Sequence, residues 1–228
     1  MSGNDHCSMA LIGDGSVGKS TIINAFCSDG FQKVYKQTIG CDFFEKHIEV
    51  RKNCTISLRV WDIGGQSIQS KNLRSYLEHA NAIFLVYDVT NSESFGNLND
   101  WLSQLRKYNK TENVYLLGNK VDLTALRQVT EQQNDRFVAD NHLKGSCYCS
   151  AKTGENIVKM FYRVAGEILG TPLTEYELAF HDKVLKAHLQ GNSQSNEVRN
   201  EWADEVERED REAEQRKQQL EAGCCSLS

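Results

Sequence analysis

Proline is nearly absent: the 228 residues hold one, Pro172, so no proline-rich linker divides the chain. Long apolar runs are missing too. No stretch approaches the roughly 18 to 20 apolar residues that a membrane-spanning helix needs. The opening residues MSGNDHCSMA lack the charged and apolar regions of a secretory leader, and Ser2 stands where N-myristoylation requires glycine. Surplus positive charge is equally lacking. The formal net charge is −5, and residues 197–221 carry ten acids against five bases, which leaves the rest of the chain neutral. Direct nucleic-acid binding is therefore not expected. The eight cysteines show no metal-ligand spacing: Cys7, Cys27, Cys41 and Cys54 are scattered. Cys147 and Cys149 stand two apart in an expected strand, too distant for easy bridging. Reduced thiols in an intracellular compartment are the expectation. The six histidines share no spacing with cysteines or acids, so they are assigned no metal.

What is present is a chain with 39% apolar residues, enough for one α/β core and an extension. Apolar runs at 9–12, 41–50, 55–61, 82–89, 114–117 and 146–149 read as strands, and helical periodicity fills 18–27, 95–108, 130–141 and 156–170. Such alternation implies a mostly parallel sheet with helices on both faces. The last helix stops at Gly170, with Pro172 just beyond. Apolar stretches at 173–180 and 184–189 form an extension that can pack back on the domain. From residue 190 the chain turns polar and then highly charged. Val198, Trp202 and Val206 offer a thin apolar stripe there, but a solvated tail is the expectation. The divisions are 1–172, 173–190 and 191–228.

Residues 13–21 read GDGSVGKST directly after an apolar strand. Gly13, Gly15 and Gly18 can take positive φ at low cost, which lets the N–H groups of Gly13, Asp14, Gly15, Ser16, Val17 and Gly18 turn inward around an oxyanion. Lys19 adds a point charge for β- and γ-phosphates. Ser20 offers Mg²⁺ a hydroxyl, and the helix beginning there, with Thr21 in its first turn, aims its positive end at the same place. A P-loop ATPase or nucleotide kinase shares this loop.

Further segments favour guanine. Asn119-Lys120-Val121-Asp122 closes an apolar strand. A carboxylate at Asp122 accepts from the paired N1 and N2 donors of guanine, which adenine lacks, while Asn119 and the Lys120 stem brace the loop and cover the base. Ser150-Ala151-Lys152 also follows a strand, and the Ala151 N–H can donate to guanine O6. Trp61-Asp62-Ile63-Gly64-Gly65-Gln66 places Asp62 at a strand end to hold Mg²⁺ through water. There the Gly65 N–H is set to sense a γ-phosphate and Gln66 to orient the attacking water. Thr38 can give Mg²⁺ a second hydroxyl and its N–H to the γ-phosphate.

These segments, in this order over about residues 8–170, resemble the Ras-like small GTPases and in particular the Rab family. The wording YKQTIGCDFF, WDIGGQ and GEILG…VLKA is similar to the Rab twenty-eight branch, out to about Leu189. The resemblance implies a three-layer P-loop GTPase domain with a six-stranded, mostly parallel sheet. It implies that Phe31 stacks on guanine, and that Ile39, Gly40 and the aromatic trio Phe43, Trp61 and Tyr76 face effectors. It also implies a monomer cycling between GTP and GDP with Mg²⁺, served by an exchange factor, an activating protein that supplies an arginine, effectors and a prenyl-binding escort. One departure stands out: Ile63 and Gly64 occupy the positions of Thr and Ala in the family wording Asp-Thr-Ala-Gly-Gln. Gly64 is expected to add backbone freedom, worth roughly 0.5 to 1 kcal/mol relative to alanine, and to leave residues 64–76 loose with GDP. A GTP-holding scaffold that does not hydrolyse is the alternative this departure leaves open.

The chain ends Gly223-Cys224-Cys225-Ser226-Leu227-Ser228, a prenylation box for Cys225 with Cys224 as the candidate for a second lipid. One lipid binds a membrane only marginally, and the acidic tail cannot assist on anionic lipid. The expected location is the cytosolic face of endomembranes, with endosomal or ciliary routes implied by the resemblance alone.

Overall fold

The computed structural model describes residues 6–27, 38, 40–51, 54–70 and 72–189. Six strands form one sheet: β1 (His6–Ile12), β2 (Cys41–Arg51), β3 (Cys54–Ile63), β4 (Ala82–Asp88), β5 (Val114–Asn119) and β6 (Gly145–Tyr148). Their order is β2-β3-β1-β4-β5-β6. β2 and β3 are neighbours along the chain and pair antiparallel, whereas the other pairings are parallel, because helical crossovers join those strands.

The crossovers use α1 (Lys19–Cys27), α2 (Leu73–Leu77), α3 (Ser92–Gly96), α4 (Leu98–Tyr108) and α5 (Glu131–Asp140), and α6 (Ile157–Ile168) follows the last strand. Residues of β4 show how both faces are covered. Ile83, Leu85 and Tyr87 join Leu73, Leu77, Trp101 and Leu105 of α2 and α4 in one buried cluster. Phe84, on the opposite face, meets Phe161 of α6 at 5.6 Å, and Phe161 stacks on Phe26 of α1 at 4.1 Å. This is the Ras-like GTPase fold, with β4 and β5 buried along their whole length.

Some boundaries differ from the sequence expectation. The single helix expected over 95–108 is two, α3 and α4. Asn91 starts α3 early by accepting from Glu93 and Ser94 N–H, and Asn97 separates the pair. α2 is too short to show a period. α5 opens on a reciprocal capping box of Thr130 and Gln133. α6 closes at Gly170, whose φ of +69° lets Thr171 N–H reach Gly166 O at 2.9 Å. Beyond Pro172 lies a further helix, α7 (Glu175–Leu189). The compact unit that contains the sheet extends to Asp182. Within it Leu178 is fully buried, and Arg51 of β2 binds Glu177 at 3.1 Å and Pro172 O at 2.9 Å.

Candidate functional site

A cleft of about 870 Å³ opens where the carboxyl ends of β1, β3, β4, β5 and β6 meet their loops, the usual ligand position in α/β sheets. The glycine-rich loop forms its floor. Gly13 has φ 143°, and a Cβ there would fall 2.1 Å from Val86 O of β4; no other residue fits where the loop crosses the sheet. Gly18 is also at positive φ. Gly15 is not, contrary to the sequence reading; Ser16, at φ 64°, takes the left-handed position instead.

Lys19 is 5% exposed, and its Nζ donates to Gly13 O at 2.8 Å and Asp14 O at 2.7 Å. An ammonium has three donors, so one remains for a ligand in the cleft that Lys19 lines. Burial lowers its pKa to about 8, opposed by the carboxylates of Asp62 and Asp14. Asp14 was grouped with the phosphate ligands on sequence through its N–H, and its carboxylate is occupied by Asn97 and Trp101. What Asp14 offers the site is its backbone. Val17 likewise is buried and gives its carbonyl to Asn119 Nδ2 at 2.8 Å.

Beside Lys19 lies an all-oxygen cluster. Ser20 Oγ and Thr38 Oγ1 are 2.8 Å apart, and Thr38 Oγ1 donates to Asp62 Oδ2 at 3.2 Å. Asp62 Oδ1 is buried with no hydrogen-bond partner. Burial raises the Asp62 pKa, against hydrogen bonding from Ser20 and the charge of Lys19. Neighbouring oxygens around an octahedral Mg²⁺ lie about 3 Å apart at metal–oxygen distances of about 2.1 Å. Two hydroxyls at this separation, beside an unsatisfied carboxylate oxygen, fit such an ion.

At the other end of the cleft, Asn119 ties three loops together. Its Nδ2 holds the glycine-rich loop through Val17 O, and its Oδ1 accepts from Ala151 N–H at 3.1 Å. The N–H expected to meet guanine O6 is therefore already engaged, and a base oxygen must share it. Lys120, at φ 69°, spans to Ser16 O at 2.9 Å and pairs with Asp88 at 2.6 Å. Asp122 is oriented by Ser150 Oγ, which donates to Oδ1 at 2.7 Å, while Lys152 Nζ stands 3.7 Å from Oδ2. Thr21 and Lys152 also line the cleft.

The segments between Thr38 and Gln66 approach closely. Gly64 N–H donates to Gly40 O at 2.9 Å, continuing the β2–β3 ladder past its last rung, Cys41 opposite Ile63. A Cβ on Gly64 would lie 2.4 Å from Thr38 O. Its φ of −56° and ψ of 136° are open to any residue. In this conformation, therefore, position 64 needs glycine for space and not for its torsion angles. Ile63 is wholly buried in the main cluster. Gly65 lies against the Asp14–Gly15 peptide, and exposed Gln66 brings Nε2 within 3.9 Å of where a Gly15 Cβ would sit. Outside the cleft, Phe43 is 46% exposed and stands 4.7 Å from Trp61, which faces Tyr76 at 6.2 Å. Phe31, Ile39, Cys224 and Cys225 lie outside the described residues.

Sequence reasoning did not single out Asp88, Asn97 or Trp101. The strand-end rule points to Asp88, at the carboxyl end of a central strand; no sequence spacing links Asn97 and Trp101 to the loop.

Residues 8–170 match the Ras family. The chain belongs to the Ras family. Among relatives of this Ras-family chain is the Ras-related protein Rab-28 of Caenorhabditis elegans, 40% identical over 79% of this chain and 74% of the relative. The Ras-related protein RIC1 of Oryza sativa is 38% identical over 70% of this chain and 79% of its own. The Ras-related protein Rab-12 of Homo sapiens is 34% identical over 70% of this chain and 65% of its own. The chain is thus a Rab-like member, and its aromatic trio comes from β2, β3 and α2 of a Ras-family domain.

Proposed function

We propose that this chain is a guanine-nucleotide switch that binds GTP, hydrolyses it slowly to GDP and phosphate, and recruits effectors in membrane trafficking while GTP is bound. One observation carries the reading: Lys19 and Asp122 line the same cleft, joined through Asn119, so phosphate and base sites are one unit. Asp122 reads the N1 and N2 donors of guanine, and adenine would leave that acceptor unpaired.

Ser20, Thr38 and Asp62 would hold Mg²⁺, which when bound neutralises charge on the β- and γ-phosphates. Lys19 binds the same phosphate oxygens, and the loop N–H groups surround them. The Gln66 amide, exposed at the cleft edge, orients a water toward the γ-phosphorus. Among the described residues no arginine lines the cleft, which supports an arginine supplied by an activating protein. Thr38 and Gly65 contact the γ-phosphate only while it is present, and the exposed Phe43–Trp61–Tyr76 surface reports that state to effectors. Lipid at Cys225, with Cys224 as the second site, would bring the switch to cytosolic membrane faces, with endosomal or ciliary routes as the destinations proposed from the resemblance alone. Among the described residues no helix is long and apolar enough to cross a membrane.

The test identifies the co-purifying nucleotide and then follows phosphate release. Bound GDP or GTP is expected, with intrinsic turnover far below about one per second. Gln66→Leu is expected to suppress release and retain GTP. Co-purifying ATP sinks the reading. No release even with an activating protein would instead favour the non-hydrolysing scaffold.

A further inference from the structure

Asp14 lies in the phosphate loop, yet its carboxylate serves a helix outside it. Oδ2 accepts from Asn97 Nδ2 at 2.7 Å, and Oδ1 accepts from Trp101 Nε1 at 2.9 Å. Trp101 is 1% exposed and fixed in the main core cluster. Asn97 caps neither neighbouring helix with its side chain, so its contact with Asp14 is a use of the amide that helix formation does not explain. On its other sides Asp14 is equally constrained. Its carbonyl accepts from Lys19 Nζ at 2.7 Å, and a Cβ on Gly65 would come 2.5 Å from its carbonyl carbon. One residue therefore joins α4, the lysine that grips phosphate and the segment preceding Gln66.

We propose that Asp14 is a positioning residue: Asn97 and Trp101 clamp its carboxylate so that its carbonyl keeps Lys19 aimed, and the loop keeps its N–H groups turned, toward a β-phosphate. This rests on the guanine-nucleotide reading above. A carboxylate accepting two N–H bonds is held more firmly than a neutral acceptor, and α4 begins at the clamp and packs against β4. The clamp thus sets the loop from the rigid core rather than from the ligand. Its effect falls on the diphosphate, because Asp122, the residue that reads the base, is oriented by Ser150 Oγ at 2.7 Å and not by Asp14 or its partners.

The test compares GDP and GMP affinities, by competition with a fluorescent GDP, for wild type, Asp14→Asn, Asn97→Ala and the double variant. Asp14→Asn keeps the shape and removes the charge; Asn97→Ala removes one donor at a half-exposed position and keeps the core. The expected result is a loss of GDP affinity of about tenfold for Asp14→Asn and about threefold for Asn97→Ala. The double variant should be no weaker than Asp14→Asn alone, with GMP affinity unchanged throughout. Losses that add in the double variant, or that fall equally on GMP, overturn the clamp. A wild type that binds neither GDP nor GMP overturns the guanine reading itself, and this inference with it.

Discussion

Lys19 carries its charge in a place that discourages it. Burial brings its pKa from 10.5 to about 8, although Asp62 and Asp14 oppose the fall. A polyphosphate binds the protonated form. Below about pH 8 the ammonium is already charged and GDP affinity should be flat in pH. As pH rises through about 8 the free protein loses that proton, binding must recover it, and affinity should decline by up to tenfold per unit. For stability the sign is opposite: the unfolded chain binds more protons between about 8 and 10.5, so folding without nucleotide is favoured as pH climbs through that window. Titration calorimetry near pH 9 in buffers of different ionisation enthalpy checks this, and zero proton uptake would contradict it. The place of Lys19 in the cleft was legible because a glycine-rich turn between strand and helix puts that side chain there; its partners Gly13 O and Asp14 O follow from the loop closing on itself. Asn97 and Trp101 were not legible, since their contact with Asp14 crosses more than eighty positions and leaves no local pattern.

At the scale of elements, the β2–β3 ladder is what binds the Gly40–Cys41 segment to the Ile63–Ser67 segment. It runs to Cys41 opposite Ile63 and then to the Gly64–Gly40 bond, with Ser67 Oγ adding a donor to Gly40 O at 3.1 Å. Two accounts of Gly64 predict opposite outcomes for Gly64→Ala. If torsional freedom were its purpose, alanine would stabilise by about 0.4 to 1 kcal/mol. The structure puts the new methyl 2.4 Å from Thr38 O, so the expected result is destabilisation of roughly 1 to 3 kcal/mol. Urea unfolding with GDP and Mg²⁺ decides the sign. The crowding at this glycine was not legible because φ/ψ preference is local, whereas contact with a segment 26 positions away is not. The strands and the helices α1, α5 and α6 were legible from their periods, whereas α7, longer than any of them, was not. The split of α3 from α4 was not, because the break at Asn97 leaves the apolar periodicity continuous.

Over the whole molecule, the family resemblance anticipated the six-stranded sheet, but where the chain goes after Pro172 depends on burial that composition does not encode. Leu178 is wholly buried, whereas Arg51 and Glu177 form a pair open to solvent. Leu178→Ala should therefore cost roughly 2 to 5 kcal/mol, and Arg51→Ala at most about 1 kcal/mol, with GDP affinity unchanged in both. Thermal melts of the full chain test the ranking; equal costs would mean that the first turns of α7 are held by charge. Finally, the indole N–H of Trp101 ends on the Asp14 carboxylate, in a chain with three tryptophans. Indole emission responds to the charge beside it, and here that charge borders the phosphate loop. The protein therefore has a built-in optical reporter one hydrogen bond from a residue that lines the cleft, readable without a dye once Trp61 and Trp202 are both changed to phenylalanine.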